Sequence, residues 1–433
     1  MRYRVFSFVV VILVSLLVGC ASDNEEGGEE ILSHIGNWNG EITIPGQSLG
    51  IELTLEEEGG TISIPAQGLA DYQLSTVEVK EDQQIIITIN IQGQLLTFDG
   101  QLTEEKITGN FTQNGQQFPF ELVKGEKQEV TEEEGEFLTI ETDNGTLYGE
   151  LETPDSEGPH PVMLIIPGSG PTDRNGNSTA LPGENNSLKM LAEELAENGI
   201  ASLRYDKRGA GKNQQAVVDE SSLRYEQFVK DAEGWLDLLA SDSAYTKIGV
   251  IGHSQGSLTG MLAAQTSRVD AFISLAGAGR PMDEVLYGQL QEQLSGDLLE
   301  ESKEIIDGLK NEETTANISD ELQSMFRPAV QPFLASWMNY NPAKELAKLS
   351  IPVLIIQGEH DIQVSQQEGV ALQKASPEAE LTTIDNMNHV LKEAPKEREA
   401  NMQTYGDPSL PLAPGLMDDV LGFLSEHQFI EEN

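Results

Sequence analysis

The sequence predicts an α/β protein: a mostly parallel sheet with helices on both faces and a helical cap, preceded by a small antiparallel all-β barrel or sandwich domain. From Phe137 to the C-terminus, strand-length apolar runs alternate with helix-period segments, as in parallel strands joined by crossovers. Before that, from Ile31 to Val123, short runs of alternating polarity recur about every ten residues between glycine and charged turns, the pattern of antiparallel strands. Finally, Gly252-His253-Ser254-Gln255-Gly256 stands between an apolar run, Lys247 to Ile251, and a helix-compatible segment, Ser257 to Ser267.

In chain order, residues 1–19 read as an export signal. Arg2 and Arg4 give a basic start, and the apolar run Val5 to Val18 is shorter than the roughly twenty residues that span a bilayer. Leu17-Val18-Gly19-Cys20 resembles a bacterial lipobox, which implies cleavage before Cys20 and lipidation of its thiol. The expected location is therefore the bacterial cell envelope, membrane-anchored through the N-terminal lipid and either periplasmic or surface-exposed. A plain signal with a free cysteine is the competing reading. Cys20 is the only cysteine, so no intrachain disulfide can form. Residues 20–30 are polar and acidic, as in a flexible tether.

The β domain is expected over 31–123. Its runs are Glu41 to Ile44, Ile51 to Leu55, Thr61 to Ile64, Tyr72 to Val79, Ile85 to Ile91, Gln94 to Phe98, Ile107 to Thr112 and Phe118 to Val123. Gly36-Asn37-Trp38 resembles the opening of lipocalin-like barrels, but a lone G-x-W is too common to assign a ligand. A spacer or docking domain is the favoured reading. Residues 124–136 form a charged linker.

Over 137–433 the expected strands are Phe137 to Ile140, Leu147 to Glu152, Val162 to Ile166, Ala201 to Tyr205, Ile248 to Ile251, Ala271 to Leu275, Val353 to Ile356 and Glu380 to Ile384. Between Ala276 and Ile351 lies far more chain than a plain crossover needs. Helical patterns at Asp283 to Lys310 and Asp320 to Met338 predict a cap over about 280–345. Met325, Phe326, Phe333 and Trp337 are candidate pocket walls.

Gly252 to Gly256 reads as a nucleophile elbow. A serine hydroxyl is a poor nucleophile in water, so it must be held at a tight turn beside a base and backbone donors, and Gly252 and Gly256 permit that turn. An acid and then a histidine should follow Ser254 in sequence. Of the six histidines, His34 and His160 precede it, His253 lies beside it, and His427 falls at the end of a terminal amphipathic helix, Leu416 to Phe429. The buried strand Ile351 to Gln357 runs into Gly358-Glu359-His360-Asp361, which puts Asp361 just beyond a strand's carboxyl end, the edge where open α/β sheets place their ligands. His389 follows the run Glu380 to Ile384 onto the same edge. The expected triad is Ser254, Asp361 and His389, with Asp385 the runner-up acid.

Acyl transfer places negative charge on a carbonyl oxygen, which two backbone N–H groups should receive. Gln255, directly after the nucleophile, supplies one. The loop Gly168-Ser169-Gly170 after the run Val162 to Ile166 supplies the other, from Ser169 first and Gly170 next. The same loop runs on through Asp173, Asn175 and Asn177 to Glu184 and partly matches a calcium loop. The glycine it would need is Ser178, and no helix precedes it, so no metal and no cofactor are expected. Arg204 to Gly211 lacks the phosphate-binding patterns and reads as a structural strand-to-loop segment.

These motifs together resemble a family. Gly168 to Gly176 carries Gly-Ser-Gly-Pro-x-Asp-Arg-Asn-Gly, and with Arg204 to Gly211, Asn388 to Lys392 and Tyr405 to Leu412 it makes the chain from about Phe137 similar to bacterial α/β-hydrolases of the carboxylesterase-like branch. The resemblance implies hydrolysis of short acyl esters or thioesters. The expected function is a serine hydrolase whose partner is a small acyl-ester substrate; thioesterase and peptidase activities stay open within that class. The alternative is a non-catalytic binding lipoprotein of the envelope. The net charge of −46, from 26 Lys and Arg against 72 Asp and Glu, disfavours nucleic acid and anionic membrane surfaces as partners. It also suits a saline, halophilic setting, where salt screens self-repulsion. The sequence carries no indication of an oligomeric state.

Overall fold

The computed structural model describes residues 35–430, apart from 45–46, 58, 65–68, 81–82, 92–93, 114–115, 126–134, 179–182 and 215. The expected signal, Cys20, the tether and most of the 124–136 linker lie outside the described residues. The chain divides into two units, with the division at Glu134 and Gly135.

In the first unit the alternating runs become β1 (Gly36–Ile44), β2 (Gln47–Glu56), β3 (Gly59–Ile64), β4 (Leu69–Gln73), β5 (Thr76–Val79), β6 (Gln84–Ile91), β7 (Gln94–Leu102), β8 (Lys106–Gln113) and β9 (Gln116–Gly125). They form one antiparallel sheet in the order β4-β3-β2-β1-β9-β8-β7-β6-β5. The run expected as Tyr72 to Val79 is broken at Leu74 and Ser75. Leu74 N–H donates to the Gly60 carbonyl at 2.9 Å and Ser75 N–H to the Thr88 carbonyl at 2.8 Å, so β4 pairs on β3 and β5 on β6. The sheet thereby curls round on itself, and Tyr72 reaches across to donate to the Asn90 carbonyl at 3.1 Å. A single curled sheet forms, not two stacked ones. Period-two alternation turns Trp38, Ile42, Ile51, Leu53, Ile85, Ile87 and Phe98 into one interior. Phe98 packs on Phe111 and Phe120 with ring centroids 4.7 and 5.1 Å away.

The second unit has β10 (Glu136–Thr142), β11 (Gly145–Glu152), β12 (His160–Ile166), β13 (Ala201–Tyr205), β14 (Tyr245–His253), β15 (Ala271–Leu275), β16 (Val353–Gly358) and β17 (Glu380–Ile384). Their order is β10-β11-β13-β12-β14-β15-β16-β17, antiparallel through β10, β11 and β13 and parallel from there on. This is a mixed, mostly parallel sheet with a helix-covered core on each face. Along the chain come α1 (Ser187–Glu197), α2 (Tyr225–Ser241), α3 (Gln255–Ala263), the cap helices α4 (Met282–Gln293), α5 (Asp297–Lys310), α6 (Gln323–Phe326), α7 (Gln331–Met338) and α8 (Pro342–Leu346), then α9 (Gln366–Ala375), α10 (Arg398–Gln403) and α11 (Leu416–Glu426).

Alternation within the strands sorts the two faces. Val162, Leu164 and Ile166 of β12 join the core beneath α2 and α3, whereas Met163 and Ile165 join the core beneath α1 and α11. Each buried Leu or Ile contributes roughly 1.5–3 kcal/mol of transfer free energy, which is why the central strands are apolar on both sides.

The cap differs from expectation in detail. The pattern Asp283 to Lys310 is split by Gly296, whose φ of 61° breaks the helix, and Asp320 to Met338 is split at Arg327 because Pro328 follows it. The last helix stops at Glu426, short of the expected Phe429. Phe326 is wholly buried in the cap's own core with Leu286, Ile306 and Leu309, so it is not a pocket wall. Phe333 and Trp337 face α2: Trp337 stacks on Tyr225 at 5.6 Å and Phe333 meets Phe228 edge-on at 5.8 Å. Such pairs, each about 0.5–1.5 kcal/mol beyond area burial, hold the cap to α2.

Candidate active site

β14 ends at His253 and α3 begins at Gln255, so Ser254 alone makes the strand-to-helix turn. Its φ of 53° and ψ of −117° are strained for a residue with a Cβ, at a cost of about 1–3 kcal/mol. The neighbouring glycines answer a different need, close approach. A Cβ on Gly252 would lie 2.4 Å from the Gly256 carbonyl oxygen, and one on Gly256 would lie 2.2 Å from that of Ile166. Ser254 N–H donates to the Leu275 carbonyl at 2.9 Å, which pins the turn to β15.

Asp361 and His389 come to the same edge from the loops after β16 and β17. His389 Nδ1–H donates to Asp361 Oδ2 at 2.8 Å, and the Ser254 hydroxyl donates to His389 Nε2 at 3.0 Å. The Asp361 carboxylate is fully buried, and its Oδ1 accepts the N–H groups of Gln363 at 2.7 Å and Val364 at 2.9 Å. It is therefore fixed in orientation. Asp385, the runner-up acid, is exposed, and Asp361 already occupies the histidine's Nδ1. His427 lies away from the site, paired with Glu380 at 2.7 Å.

Two side chains hold the histidine's loop in place. Buried Asn388 accepts the N–H groups of Val390 and Lys392 at 3.1 and 3.0 Å and donates to Thr404 Oγ1 at 2.8 Å. His253 Nε2–H donates to the His389 carbonyl at 2.8 Å, the two rings 5.0 Å apart. Burial lowers the His253 pKa to about 4, with the neighbouring His389 adding to the effect, so this ring is a neutral brace. Nothing in the motif G-x-S-x-G marks its second residue for this; the pairing spans 136 positions.

Gly168 packs against the elbow, where a Cβ would lie 3.3 Å from His253 Nδ1 and 3.4 Å from Ser254 Cβ. The amide of Ser169 follows it. Gln255 N–H opens α3 and has no acceptor within the helix. Gly170, the second choice, has φ 80° and lies one residue further out.

Sequence reading treated Arg204 to Gly211 as structural, and most of it is. Buried Arg204 bonds Glu150 and Glu152, Arg174 bonds Glu150 at 2.5 Å and Asp206 at 2.9 Å, and Arg208 bonds Asp231 at 2.6 Å. Lys207 differs. It is buried, its Nζ donates to the Gly168 carbonyl at 3.0 Å and to Gln255 Oε1 at 2.6 Å, and it lies 4.3 Å from the centre of the Phe228 ring. Burial pulls its pKa down to about 7, against the opposing charge of Asp231. In the loop once compared with a calcium site, Asp173 Oδ1 instead accepts the N–H groups of Asn175 and Asn177 at 2.9 and 2.8 Å. No group of His, Cys, Asp and Glu suited to a metal occurs among the described residues.

Residues 184–394 match the family model described as serine aminopeptidase, S33. Esterase EstD of Thermotoga maritima is 28% identical over 333 residues, covering 74% of this chain and 73% of that relative. Among solved structures, Est1E from Butyrivibrio proteoclasticus is 21% identical with a TM-score of 0.44, covering 67% of this chain and 99% of its own. The α/β hydrolase GrgF from Penicillium sp. sh18 is 16% identical with a TM-score of 0.45, covering 68% of this chain and 99% of its own.

Proposed function

We propose that this chain is a serine hydrolase, a carboxylesterase that cleaves short acyl esters through an acyl-enzyme on Ser254. The observation that carries the reading is the bridge made by His389, 2.8 Å from Asp361 and 3.0 Å from Ser254. Those distances suit proton transfer, and similarity to a relative named an esterase supports an ester substrate. Ser254 Oγ attacks the ester carbonyl while its proton passes to His389 Nε2. Asp361 keeps Nδ1 protonated and stabilises the imidazolium. The N–H groups of Ser169 and Gln255 receive the oxyanion. As the intermediate collapses, His389 returns the proton to the departing alkoxide, and the acyl group stays on Ser254. Water, deprotonated by His389, then attacks the acyl carbon; the bond to Ser254 Oγ breaks, Oγ takes the proton back from His389, and the acid leaves.

The test is a panel of p-nitrophenyl esters of graded chain length. The proposal expects kcat/KM to be highest for acetate and butyrate and to fall for long chains; no turnover of any ester would overturn it. The family model's description favours a second reading, a peptidase acting through the same triad. Aminoacyl amides included in the panel decide between the two, since the esterase reading expects esters to be turned over and amides not. For location, we propose lipid anchoring at Cys20 in the cell envelope. Metabolic labelling with a palmitate analogue should mark wild-type protein and not Cys20→Ser; equal labelling of both would refute it.

A further inference from the structure

We propose that Lys207 is a positioning residue of the oxyanion hole, fixing the two peptide groups that receive the substrate oxygen. The inference rests on the serine-hydrolase reading above. A trans peptide is planar, with the C=O of one residue and the N–H of the next pointing in opposite directions. Lys207 Nζ donates to the Gly168 carbonyl at 3.0 Å, so it sets the plane of the Gly168–Ser169 peptide and turns the Ser169 N–H away from the lysine. The same Nζ donates to Gln255 Oε1 at 2.6 Å, tying in the residue that carries the other amide.

The backbone of Lys207 holds the far end of the same loop. Its N–H donates to the Thr172 carbonyl at 3.1 Å, and the Thr172 hydroxyl donates to the Ser169 carbonyl at 2.7 Å. Residues 168–172 are thus clasped at both ends by one residue of the next strand's loop.

A second observation separates this from ordinary packing. Burying an ammonium is costly unless a carboxylate pairs with it, yet Lys207 forms no carboxylate ion pair among the described residues. The nearby carboxylates of Asp206 and Asp231 are taken by Arg174 and Arg208. What Lys207 faces instead is a carbonyl, a carboxamide and the face of Phe228. Its Nζ, with no carboxylate in contact, lies one peptide group from where negative charge develops in the transition state, and its protonated form is favoured as that charge appears. The interaction is therefore stronger there than in the free enzyme, the condition for an effect on rate.

Lys207→Met keeps the apolar stem and removes the ammonium; it relieves a buried charge and leaves the Gly168 carbonyl and Gln255 Oε1 without that donor, so the variant should still fold, with a modest change in Tm. The expected result is a fall in kcat of about 10²–10³-fold, the size of losing one oxyanion donor, with KM for p-nitrophenyl acetate within about threefold. Affinity for a trifluoromethyl ketone, which forms the tetrahedral adduct, should fall in parallel. Lys207→Gln, which keeps an N–H donor and loses the charge, should lie between the two. Active-site titration with a fluorophosphonate normalises each rate to folded enzyme. A folded variant of either kind with wild-type kcat and ketone affinity overturns the proposal. If wild type itself takes no fluorophosphonate, it is the serine-hydrolase reading that fails.

Discussion

In the curled sheet of β1–β9 the interior is Trp38, Phe98, Phe111, Phe120 and aliphatic side chains, and Gln113 is its one buried polar side chain among the described residues. The α/β unit buries Arg204, Asp206, Lys207, His253, Asn388 and His389, with others. Burying a polar group is costly unless it is hydrogen-bonded, so each such residue needs a partner. In the α/β unit those partners are loops at the carboxyl edge of the sheet: Asn388 holds the His389 turn, Arg174 and Lys212 converge on Asp206, and Lys207 clasps residues 168–172. The contrast teaches where to look for chemistry. An almost wholly apolar interior specifies a shape, whereas bonded polar groups specify the position of individual atoms.

The sharpest way to break that contrast is Ser254→Ala. Ester turnover should drop by about 10⁴-fold or more while Tm stays near wild type, because the hydroxyl is a small group in an otherwise intact elbow. Next is Asp361→Asn. The amide oxygen stays with the Gln363 and Val364 N–H groups, so the NH2 faces His389 Nδ1 and donates to it, the imidazole tautomer is wrong, and kcat should fall by about 10⁴-fold with an unchanged circular dichroism spectrum.

The curled sheet should behave in the opposite way. Phe98→Ala removes a wholly buried ring and should destabilise that unit by about 3–5 kcal/mol in urea unfolding, yet leave kcat at the wild-type value. A large loss of kcat there would erase the distinction between the two regions.

The smallest effect concerns His253. Its folded pKa of about 4 lies below the roughly 6.5 of an unfolded histidine, so the unfolded state binds the extra proton between those values. The stability from its neutral, buried ring is complete above about pH 6.5 and is lost as pH falls through about 4. Over that window wild type should lose about 3 kcal/mol more unfolding free energy than His253→Asn, measured by urea titration at both ends. Parallel curves would mean that His253 is not a buried neutral brace.

Much of the site was legible in the sequence because it is local in form. A glycine-flanked serine between strand and helix, an aspartate just past one strand and a histidine just past the next are each visible within a few residues. Their order in the chain then links them. What escaped was non-local. Lys207 reads as an ordinary loop lysine until its reach to Gly168, 39 positions upstream, is known. His253 reads as filler in the elbow until its bond to the His389 carbonyl is seen. In the first unit the break at Leu74 and Ser75 was easy to miss because alternation resumes, one residue out of phase, just after the polar pair Ser75-Thr76; what divides β4 from β5 is a change of pairing partner. The split of the cap at Gly296 was equally masked by helical periodicity on both sides.

The central claim is that the His389 bridge makes Ser254, alone among the serines, a nucleophile. Wild-type protein treated with a fluorophosphonate, digested and mapped by mass spectrometry tests it directly. One stoichiometric adduct on the peptide carrying Ser254, absent from both Ser254→Ala and His389→Ala, is the predicted result. An adduct on a different residue, or none at all in protein that is folded, would contradict it.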